Sequence, residues 1–355
     1  MKLAISAGGT GGHIFPGIAV AETLKAMGTK HDVVFIGTRE GLEGKIIPAA
    51  GFRLLYVEAH QFLGRSPLYK VLTLMRLIKG IVMSMQILRE EKPDAILGMG
   101  GFTCVPVIIA GRFLGIPAFL HEQNVQPGLA NKFLSKITKG TFISFKETTK
   151  YLTTKKVLHT GNPLQKKLAQ YEGTKKEGEF GIFVFGGSRG ARSINDAVLT
   201  LLPHLESYKN TVVYHQTGQE DFDRVSAAYK KTPIMHEVFP FTNEMAKYYN
   251  HSDVVISRAG ATTIFELAYF KKAAILIPYP YSAGNHQWEN ASEVERMGGA
   301  YVIANEEATG ERLFGAIKHL MKEPVILKEL GENIGKIYLS DAAEHIIGGV
   351  ERGLA

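Results

Sequence analysis

The sequence AGGTGGHIFP at residues 7–16 joins a short apolar segment to a stretch whose apolar residues have helical spacing. Residues 2–6 are apolar enough for a buried strand, and residues 17–27 follow a helical repeat. Four glycines let the backbone approach a ligand closely, and a helix N-terminus favours an anionic or oxygen-rich ligand. The pattern predicts a strand, a binding turn and a helix that carries Pro16 in its first turn.

His13 is the one titratable side chain of this turn, and it is the candidate for acid–base chemistry. A purely structural role, capping the helix, is the alternative. A dinucleotide-binding loop is the rival interpretation of the turn. It fits poorly, because His13 stands near where a third glycine is required and no acid ends the next apolar segment at 32–37.

Length and composition set the class of protein. A chain of 355 residues is about right for two α/β domains, and 45% hydrophobic with 21% charged residues is typical of a folded protein. The single cysteine, Cys104, excludes an internal disulfide and a cysteine-rich zinc site, and favours a reducing compartment. We expect no signal peptide and no membrane-spanning segment.

The net charge of +7 is unevenly distributed. Residues 1–160 hold 20 basic and 10 acidic side chains, whereas the remainder holds 21 and 24. Nucleic acid, an anionic membrane or an acidic substrate would each explain a basic first half. This part of the chain is therefore predicted to face something negative.

Residues 59–89 contain basic and apolar residues but no acid. This composition suits a buried crossover helix with a basic rim, or an interfacial helix that lies on anionic lipid. The second interpretation predicts a membrane contact through four cations, which are Arg65, Lys70, Arg76 and Lys79.

Strand and helix patterns alternate along the first half, which predicts a parallel sheet. Two further apolar segments, at 93–97 and 116–120, end in the polar or glycine-rich turns GMGGF at 98–102 and HEQN at 121–124. Ligands bind beyond the carboxyl ends of parallel strands, so these turns and residues 8–13 are expected to converge. Glu122 is a candidate for chemistry, with a structural hydrogen-bond acceptor as the alternative.

The second half repeats this organisation after a turn at 160–163 and a polar stretch to residue 179, which is typical of a linker. An apolar strand at 180–185 precedes GGSRGA at 186–191 and a helix that contains Asn195. Backbone amides, the Ser188 hydroxyl and the helix N-terminus form a plausible diphosphate cradle. The loop lacks the Gly-Lys-Ser/Thr ending of a nucleotide-hydrolysing P-loop.

Three further patterns follow. Asp221 and Asp223 have the spacing of a manganese-binding pair, but they also suit the acidic first turn of a helix. SRAGATTIFE at 257–266 predicts a ribose and phosphate site in which Glu266 accepts from two hydroxyls, with a capping box as the alternative. His286 and Gln287 open another helix, where they can read sugar hydroxyls.

Six ordered motifs between residues 8 and 290 together closely resemble the MurG family of glycosyltransferases, which add N-acetylglucosamine to the lipid-linked muramoyl-pentapeptide precursor of peptidoglycan. The resemblance implies an α/β GT-B fold, two Rossmann-like doubly wound domains facing a cleft. It implies an acceptor and membrane domain at 1–160 and a UDP-sugar donor domain at 161–340. The last helix, at 341–355, is expected to return to the first domain. No cofactor is expected.

The resemblance also assigns residues. His13, Glu122 and Asn195 are expected near the reacting centre. Donor contacts are implied for Thr10, Gly11, Gly12, Asn124, Gln165, Ser188, Thr242, Ala261, Thr262, Thr263, Ile264, Phe265, Glu266, His286 and Gln287. Gln165 replaces an arginine found in many relatives, which weakens a charge-assisted contact. Phe102 replaces a tyrosine, which removes a hydroxyl.

The expected reaction is a single inverting displacement without a metal, in which the 4-hydroxyl of the lipid-linked muramoyl sugar attacks and UDP leaves. His13 is the favoured base and Glu122 the reserve. Expected partners are UDP-N-acetylglucosamine, the undecaprenyl-linked muramoylpentapeptide, the anionic cytoplasmic face of the bacterial plasma membrane and cell-wall assembly proteins, but no nucleic acid. A UDP-sugar epimerase, a diacylglycerol glycosyltransferase and a nucleotide-sugar sensor are the rival functions.

Overall fold

The structure is a computed structural model that describes residues 1–59, 67–154, 156–171, 173 and 175–354, with backbone alone for 67–71, 169 and 170. The chain forms two compact units. Unit 1 is Met1–Gln165 with Leu339–Ala355, and unit 2 is Lys166–Tyr338. Each unit is built on one parallel sheet with helices between successive strands, so the predicted α/β class with two doubly wound sheets is confirmed.

The sheet of unit 1 has seven strands in the order β3-β2-β1-β4-β5-β6-β7. Its strands are β1 (Lys2–Ser6), β2 (Asp32–Gly37), β3 (Leu54–Tyr56), β4 (Ala95–Gly98), β5 (Ala118–Glu122), β6 (Gly140–Ile143) and β7 (Val157–His159). The strand order reverses between β1 and β4, which is the point in such a sheet where ligands bind. The helices that connect these strands are α1 (Gly11–Ala26), α2 (Glu43–Ala49), α3 (Pro67–Glu91), α4 (Cys104–Phe113) and α5 (Leu129–Leu134).

Helix α1 begins at Gly11, within the glycine-rich turn and upstream of the helical repeat predicted at 17–27. The backbone N–H groups of His13 and Ile14 both donate to the Thr10 carbonyl, which closes the first turn there. The expectation that Pro16 lies in the first turn is therefore wrong, because Pro16 lies inside the helix. His13 instead occupies the first turn.

The sheet of unit 2 has six strands in the order β10-β9-β8-β11-β12-β13. They are β8 (Phe180–Phe185), β9 (Thr211–Gln216), β10 (Met235–Phe239), β11 (Val254–Ser257), β12 (Ala273–Leu276) and β13 (Ala300–Val302). Its helices are α6 (Arg192–Leu205), α7 (Phe222–Tyr229), α8 (Met245–His251), α9 (Ala261–Phe270), α10 (His286–Arg296), α11 (Gly310–Lys322) and α12 (Pro324–Gly335). Short 3-10 helices lie at Lys146–Tyr151, Lys166–Gln170, Gln219–Asp221, Ala283–Asn285 and Asn305–Glu307.

The last helix, α13 (Ala342–Leu354), packs in unit 1 although it follows unit 2 in the chain. Ile346 and Ile347 are fully buried in the same apolar cluster as Leu3 of β1 and Ile18 of α1. Unit 2 has its own core, formed by the inner faces of β8, β11 and α6. Each unit therefore buries a separate hydrophobic core.

Helix α3 is long and packs along α4. Several of its large apolar side chains are nevertheless exposed, and these are Leu72, Leu74, Met75, Ile78 and Val82. Among the described residues, no helix is long and apolar enough to cross a membrane.

Candidate functional site

Three loops of unit 1 meet at the carboxyl ends of β1, β4 and β5. The His13 Nδ1 atom lies 3.1 Å from the Gly8 carbonyl oxygen, so the first loop is closed on its own helix. A Cβ atom on Gly100 would lie 2.9 Å from the His13 ring, which places the second loop against the imidazole. Gln123 Nε2 donates to the Met99 carbonyl at 2.7 Å and joins the third loop to the second.

His13 is half-buried in the first turn of α1. A carbonyl oxygen only accepts, so Nδ1 carries the proton that is donated to Gly8 and Nε2 carries the lone pair of the neutral ring. Gly100 and Gly101 have φ values of +100° and +82°, and a side chain at either position would meet the imidazole or the Gly8 carbonyl. The second loop thus needs glycine to pack against the ring.

Glu122 is the last residue of β5 rather than the second residue of the predicted turn at 121–124, because β5 pairs with β6 as far as Glu122 opposite Ile143. Its side chain is 2% exposed. Oε1 accepts from the Asn124 backbone at 2.9 Å and side chain at 3.1 Å. Oε2 accepts from Asn131 Nδ2 at 2.7 Å and the Gly128 backbone at 3.3 Å.

These four donors give Glu122 the contacts of a structural acceptor, the alternative that the sequence left open. Burial raises the pKa of Glu122 above its usual range, while the hydrogen bonds from Asn124 and Asn131 act in the opposite direction. Asn124 lies partly exposed beside it. The Glu122 carboxylate therefore fixes the path of the 122–128 loop.

His121 is also internal to unit 1. Its Nε2 donates to the Gly161 carbonyl at 3.1 Å, and its Nδ1 accepts from Gln123 at 3.0 Å. Burial lowers its pKa to about 4, so the ring is neutral at pH 7. The HEQN sequence thus supplies mainly loop architecture, with Asn124 as its most accessible polar side chain.

The remaining predicted residues of unit 1 lie at two places. Thr10, Gly11 and Gly12 form the start of α1, where Thr10 is exposed and the backbone N–H groups of Gly11 and Gly12 precede the first hydrogen bonds of the helix. Gln165 is half-buried at the end of the first stretch of unit 1.

For the predicted membrane contact, Arg65 lies outside the described residues, as does the side chain of Lys70. Arg76 and Lys79 are exposed on α3, and Lys79 pairs with Glu58 at 2.5 Å.

In unit 2 the loop after β8 turns sharply before α6. Gly187 and Gly190 have φ values of +95° and +76°, and the Gly190 N–H donates to the Gly187 carbonyl at 2.9 Å. Ser188 at the tip is exposed. Gln216, which sequence reasoning missed, donates to the Gly187 carbonyl at 3.1 Å and accepts from the Thr242 N–H at 3.1 Å. Gln216 therefore joins two predicted donor-contact segments.

Asn195 is fully buried one turn into α6. Its Nδ2 donates to the Thr217 carbonyl at 3.0 Å and to Asp221 at 2.7 Å. Its Oδ1 accepts from His215 Nε2 at 3.1 Å. Burial lowers the pKa of His215 to about 3, which leaves this histidine neutral. Asn195 thus links the start of α6, which follows the loop after β8, to the loop after β9.

Asp221 is engaged in the same network. Arg224 donates to both of its oxygens at 2.6 Å, and this pairing, with Asn195, lowers the pKa of the Asp221 carboxyl. Asp221 lies just before α7, at the start of a helix. This is the position that the sequence offered as the alternative to a manganese-binding pair. The described residues contain no cluster of three His, Cys, Asp or Glu side chains able to hold a metal ion.

The first turn of α9 presents backbone N–H groups from Ala261, Thr262 and Thr263. Side chains of Ile264 and Phe265 are fully buried in unit 2, so these two residues offer a ligand only their backbone. The Thr262 hydroxyl oxygen is buried with no hydrogen-bond partner among the described residues. An unpartnered polar atom of this kind can take a hydrogen bond from a bound ligand.

Glu266 lies one turn further along α9 and accepts from the Tyr249 hydroxyl at 2.8 Å. Desolvation raises its pKa to about 7, although the Tyr249 hydrogen bond acts in the opposite direction. The carboxyl therefore titrates near neutrality, and a ligand hydroxyl would favour its ionised form.

Gln287 and Arg258 organise the loops after β11 and β12. Gln287 Oε1 accepts from the backbone N–H groups of Ala259 at 3.2 Å and Tyr279 at 2.9 Å, next to His286 at the start of α10. The Arg258 guanidinium donates to the carbonyls of Ile277 and Pro278 at 3.0 and 3.1 Å. Sequence reasoning gave Arg258 no role, although an arginine that directly follows an apolar strand was a visible signal.

Comparisons with known proteins identify the family of this chain. The model of the glycosyltransferase family 28 N-terminal domain matches residues 3–143, and that of the C-terminal domain matches residues 181–346. A protein of Geotalea daltonii named UDP-N-acetylglucosamine--N-acetylmuramyl-(pentapeptide) pyrophosphoryl-undecaprenol N-acetylglucosamine transferase is 42% identical over 98% of this chain and 96% of its own length. A protein of the same name from Citrifermentans bemidjiense is 40% identical over 98% of both chains.

Among solved structures, the crystal structure of Acinetobacter baumannii MurG superimposes with a TM-score of 0.81 and 27% identity, over 99% of each chain. The predicted GT-B architecture is thereby confirmed. The two domain models cover most of the chain, and the relatives align over nearly all of it. The chain therefore belongs to glycosyltransferase family 28 and, within it, to the MurG family of N-acetylglucosamine transferases.

Proposed function

We propose that this protein transfers N-acetylglucosamine from UDP-N-acetylglucosamine to the 4-hydroxyl of the muramoyl sugar in undecaprenyl-diphospho-muramoylpentapeptide, a step of peptidoglycan synthesis. The near full-length similarity to relatives named for this transfer carries the proposal. His13, with its lone pair on Nε2 at a glycine-rich strand end, supplies the matching chemistry.

Unit 2 is proposed to hold the donor. The turn at 187–190 and the N-terminus of α9 both present backbone N–H groups suited to a diphosphate. Thr262 has a buried oxygen that a ligand would satisfy, and Glu266, which lies on the same helix, is proposed to accept from ribose hydroxyls. Asp221 is occupied by Arg224, so these amides and Ser188 are proposed to meet the charge on departing UDP.

Unit 1 is proposed to hold the acceptor and the base. In this mechanism the 4-hydroxyl of the acceptor attacks the anomeric carbon of the donor, its proton passes to His13 Nε2, and the bond to UDP breaks with inversion. Glu122 and Asn195 act as positioning residues, because their polar atoms are taken up by loop contacts.

Helix α3 is proposed to dock on the anionic cytoplasmic face of the plasma membrane, where the lipid-linked acceptor is available. Exposed apolar side chains at 72, 74, 75, 78 and 82 recur at helical spacing and are accompanied by Arg76 and Lys79. Such a face fits an interfacial helix better than a crossover helix covered by the protein. Cell-wall assembly proteins are proposed as further partners.

The test measures transfer of labelled N-acetylglucosamine from its UDP donor to the lipid-linked muramoylpentapeptide in detergent with excess EDTA. We expect labelled lipid only when the acceptor is present. Donor consumption without acceptor would indicate an epimerase. Formation of labelled lipid with diacylglycerol as the only acceptor would indicate a diacylglycerol glycosyltransferase. Binding of UDP without any product would favour a sensor. Activity that is lost on chelation and returns only with manganese would contradict the metal-independent mechanism.

A further inference from the structure

Glu43, at the start of α2, is a fully buried carboxylate that the mechanism above does not use. Its Oε1 atom accepts from the Thr38 N–H at 3.0 Å and from the Thr38 hydroxyl at 2.6 Å. Its Oε2 atom accepts from the Gly9 N–H at 3.1 Å, in the glycine-rich loop. A buried carboxylate is costly unless its oxygens are satisfied, and these donors meet that need.

The surrounding chain leaves room for this carboxylate and for little else. A Cβ atom on Gly8 would lie 2.6 Å from Glu43 Oε1, and one on Gly37 would lie 2.8 Å from Glu43 Cγ. Gly41 also lies against the Glu43 carboxylate. Glycines from the ends of β1 and β2 therefore form a pocket shaped around one acidic side chain.

The Gly9 N–H and the Gly8 carbonyl belong to the same peptide group. In a trans peptide these two dipoles point in opposite directions, so a partner on one side fixes the orientation of the other. Glu43 Oε2 accepts the N–H at 3.1 Å on one side, and the carbonyl accepts from His13 Nδ1 at 3.1 Å on the other. Glu43, one peptide group and His13 thus form a continuous hydrogen-bonded chain.

We propose that Glu43 is a positioning residue that sets the tautomer of His13 through the Gly8–Gly9 peptide. The carboxylate holds the peptide plane so that its carbonyl faces Nδ1, which keeps the proton there and the lone pair on Nε2. A charged acceptor at one end of a hydrogen-bonded chain also strengthens the next bond in it. This proposal rests on the proposed function, in which His13 is the base.

The first test uses the wild-type protein with ¹⁵N-labelled histidine. His13→Asn identifies the His13 resonances by their disappearance. We expect the neutral His13 ring to show a protonated Nδ1 and an unprotonated Nε2. A predominant Nε2–H tautomer would overturn the proposal, and this result needs no variant of Glu43.

The second test is Glu43→Gln, which replaces one carboxylate oxygen by an NH₂ group that must face an N–H donor. We expect kcat for transfer to fall by roughly 10- to 100-fold, as for loss of other partners that orient a functional histidine. The Nδ1–H population of His13 should fall with it, while the dissociation constant for UDP-N-acetylglucosamine stays within about 3-fold. Thr38→Val removes only the hydroxyl donor and should give a smaller change in the same direction.

Glu293→Gln is the matched control, because Glu293 is a buried acid of unit 2 that pairs with Arg296. We expect it to leave the His13 tautomer and kcat unchanged. If Glu43→Gln and Thr38→Val lower only the unfolding temperature, with tautomer and kcat of the folded protein intact, the role of Glu43 is structural and the proposal is wrong. If His13→Asn retains activity, the proposed base fails, whereas the tautomer measurement still reports on Glu43.

Discussion

His13 and Glu122 differ in what their hydrogen bonds leave available for chemistry. Glu122 accepts four N–H groups from its own loop and from Asn131 of α5, so using it as a base would break contacts that shape residues 122–128. His13 uses Nδ1 to contact the Gly8 carbonyl, which orients the ring and keeps the proton on Nδ1, so that Nε2 is the basic nitrogen of the neutral ring. At the level of single residues, the geometry favours the imidazole.

We expect His13→Ala to lower kcat by roughly 10²- to 10⁴-fold, the range typical of a general base, with little change in donor binding. Steady-state transfer assays at saturating acceptor, together with calorimetric titration of UDP-N-acetylglucosamine, separate the two effects. His204→Ala provides the control, since His204 lies in the last turn of α6 and packs on Phe314. A nearly active His13→Ala protein would contradict the assignment and return Glu122 to consideration.

We expect Glu266 to make donor binding pH-dependent. Its pKa is raised to about 7 by desolvation, and the ionised form is the one that accepts from hydroxyls. Binding of UDP-N-acetylglucosamine, whose diphosphate does not titrate near neutrality, should therefore weaken as pH falls below about 7, by up to about tenfold per unit. Titrations between pH 8 and pH 5.5 measure this slope.

The control for this pH dependence is Glu266→Gln, which removes the titrating group and keeps the shape of the side chain. We expect weaker binding that no longer varies with pH in this range. An equal slope in both proteins would mean that another group is responsible.

Residues that act across space were harder to predict than residues within motifs. Glu43 contacts Gly9 from 34 positions along the chain, and its own surroundings in sequence are those of an ordinary helix start. Arg258 and Gln216 likewise donate hydrogen bonds to carbonyl groups in the loops that follow neighbouring strands. Periodicity reports which face of an element is buried, but it carries no information on which distant backbone group a polar side chain will meet.

The observed secondary structure matches the prediction closely where an apolar strand is followed by a glycine-rich turn. The turns after β1, β4, β8 and β11 lie at their predicted positions, because a parallel sheet aligns the carboxyl ends of its strands. The start of α1 was misplaced, since Gly11 and Gly12 suggested a turn although the Thr10 carbonyl accepts the first helical hydrogen bonds. Weak helix formers at a helix N-terminus conceal its first turn.

Helix α3 carries the next prediction. Leu74→Ser, Met75→Ser and Ile78→Ser together remove three exposed apolar side chains from one face of the helix. Each such side chain contributes roughly 1.5–3 kcal/mol when it is fully buried, so we expect at least a tenfold loss of binding to vesicles that contain anionic lipid. Co-sedimentation with vesicles measures the loss, and transfer to detergent-solubilised acceptor should be largely retained.

Met235 and Val325 supply the control, because they are large apolar side chains exposed on unit 2. Serine at both positions should leave vesicle binding unchanged. Equal binding by wild type and the α3 variant would contradict the membrane role of this helix. Loss of binding in the control alone would place the membrane contact on unit 2.

On the scale of the whole chain, sequence order and structural unit differ at the C-terminus. Residues 339–355 join unit 1, while the 173 residues before them form unit 2. Amphipathic spacing predicts α13 as a helix, but the position of this helix depends on the apolar cluster into which Ile346 and Ile347 pack. The return of this helix to unit 1 was therefore an expectation that helical spacing alone cannot support, since it specifies no partner.

Because the two hydrophobic cores are separate, two similar substitutions should each destabilise a different unit. Ile346→Ala empties a fully buried position in unit 1, and Ile317→Ala empties one in unit 2. Each should cost about 2–5 kcal/mol in the unit that contains it. Native-state hydrogen exchange should then show faster exchange in β1 and α1 for Ile346→Ala, and in β8 and α6 for Ile317→Ala. If either variant accelerates exchange equally in both units, the units unfold as one, and α13 then stabilises the whole chain rather than unit 1.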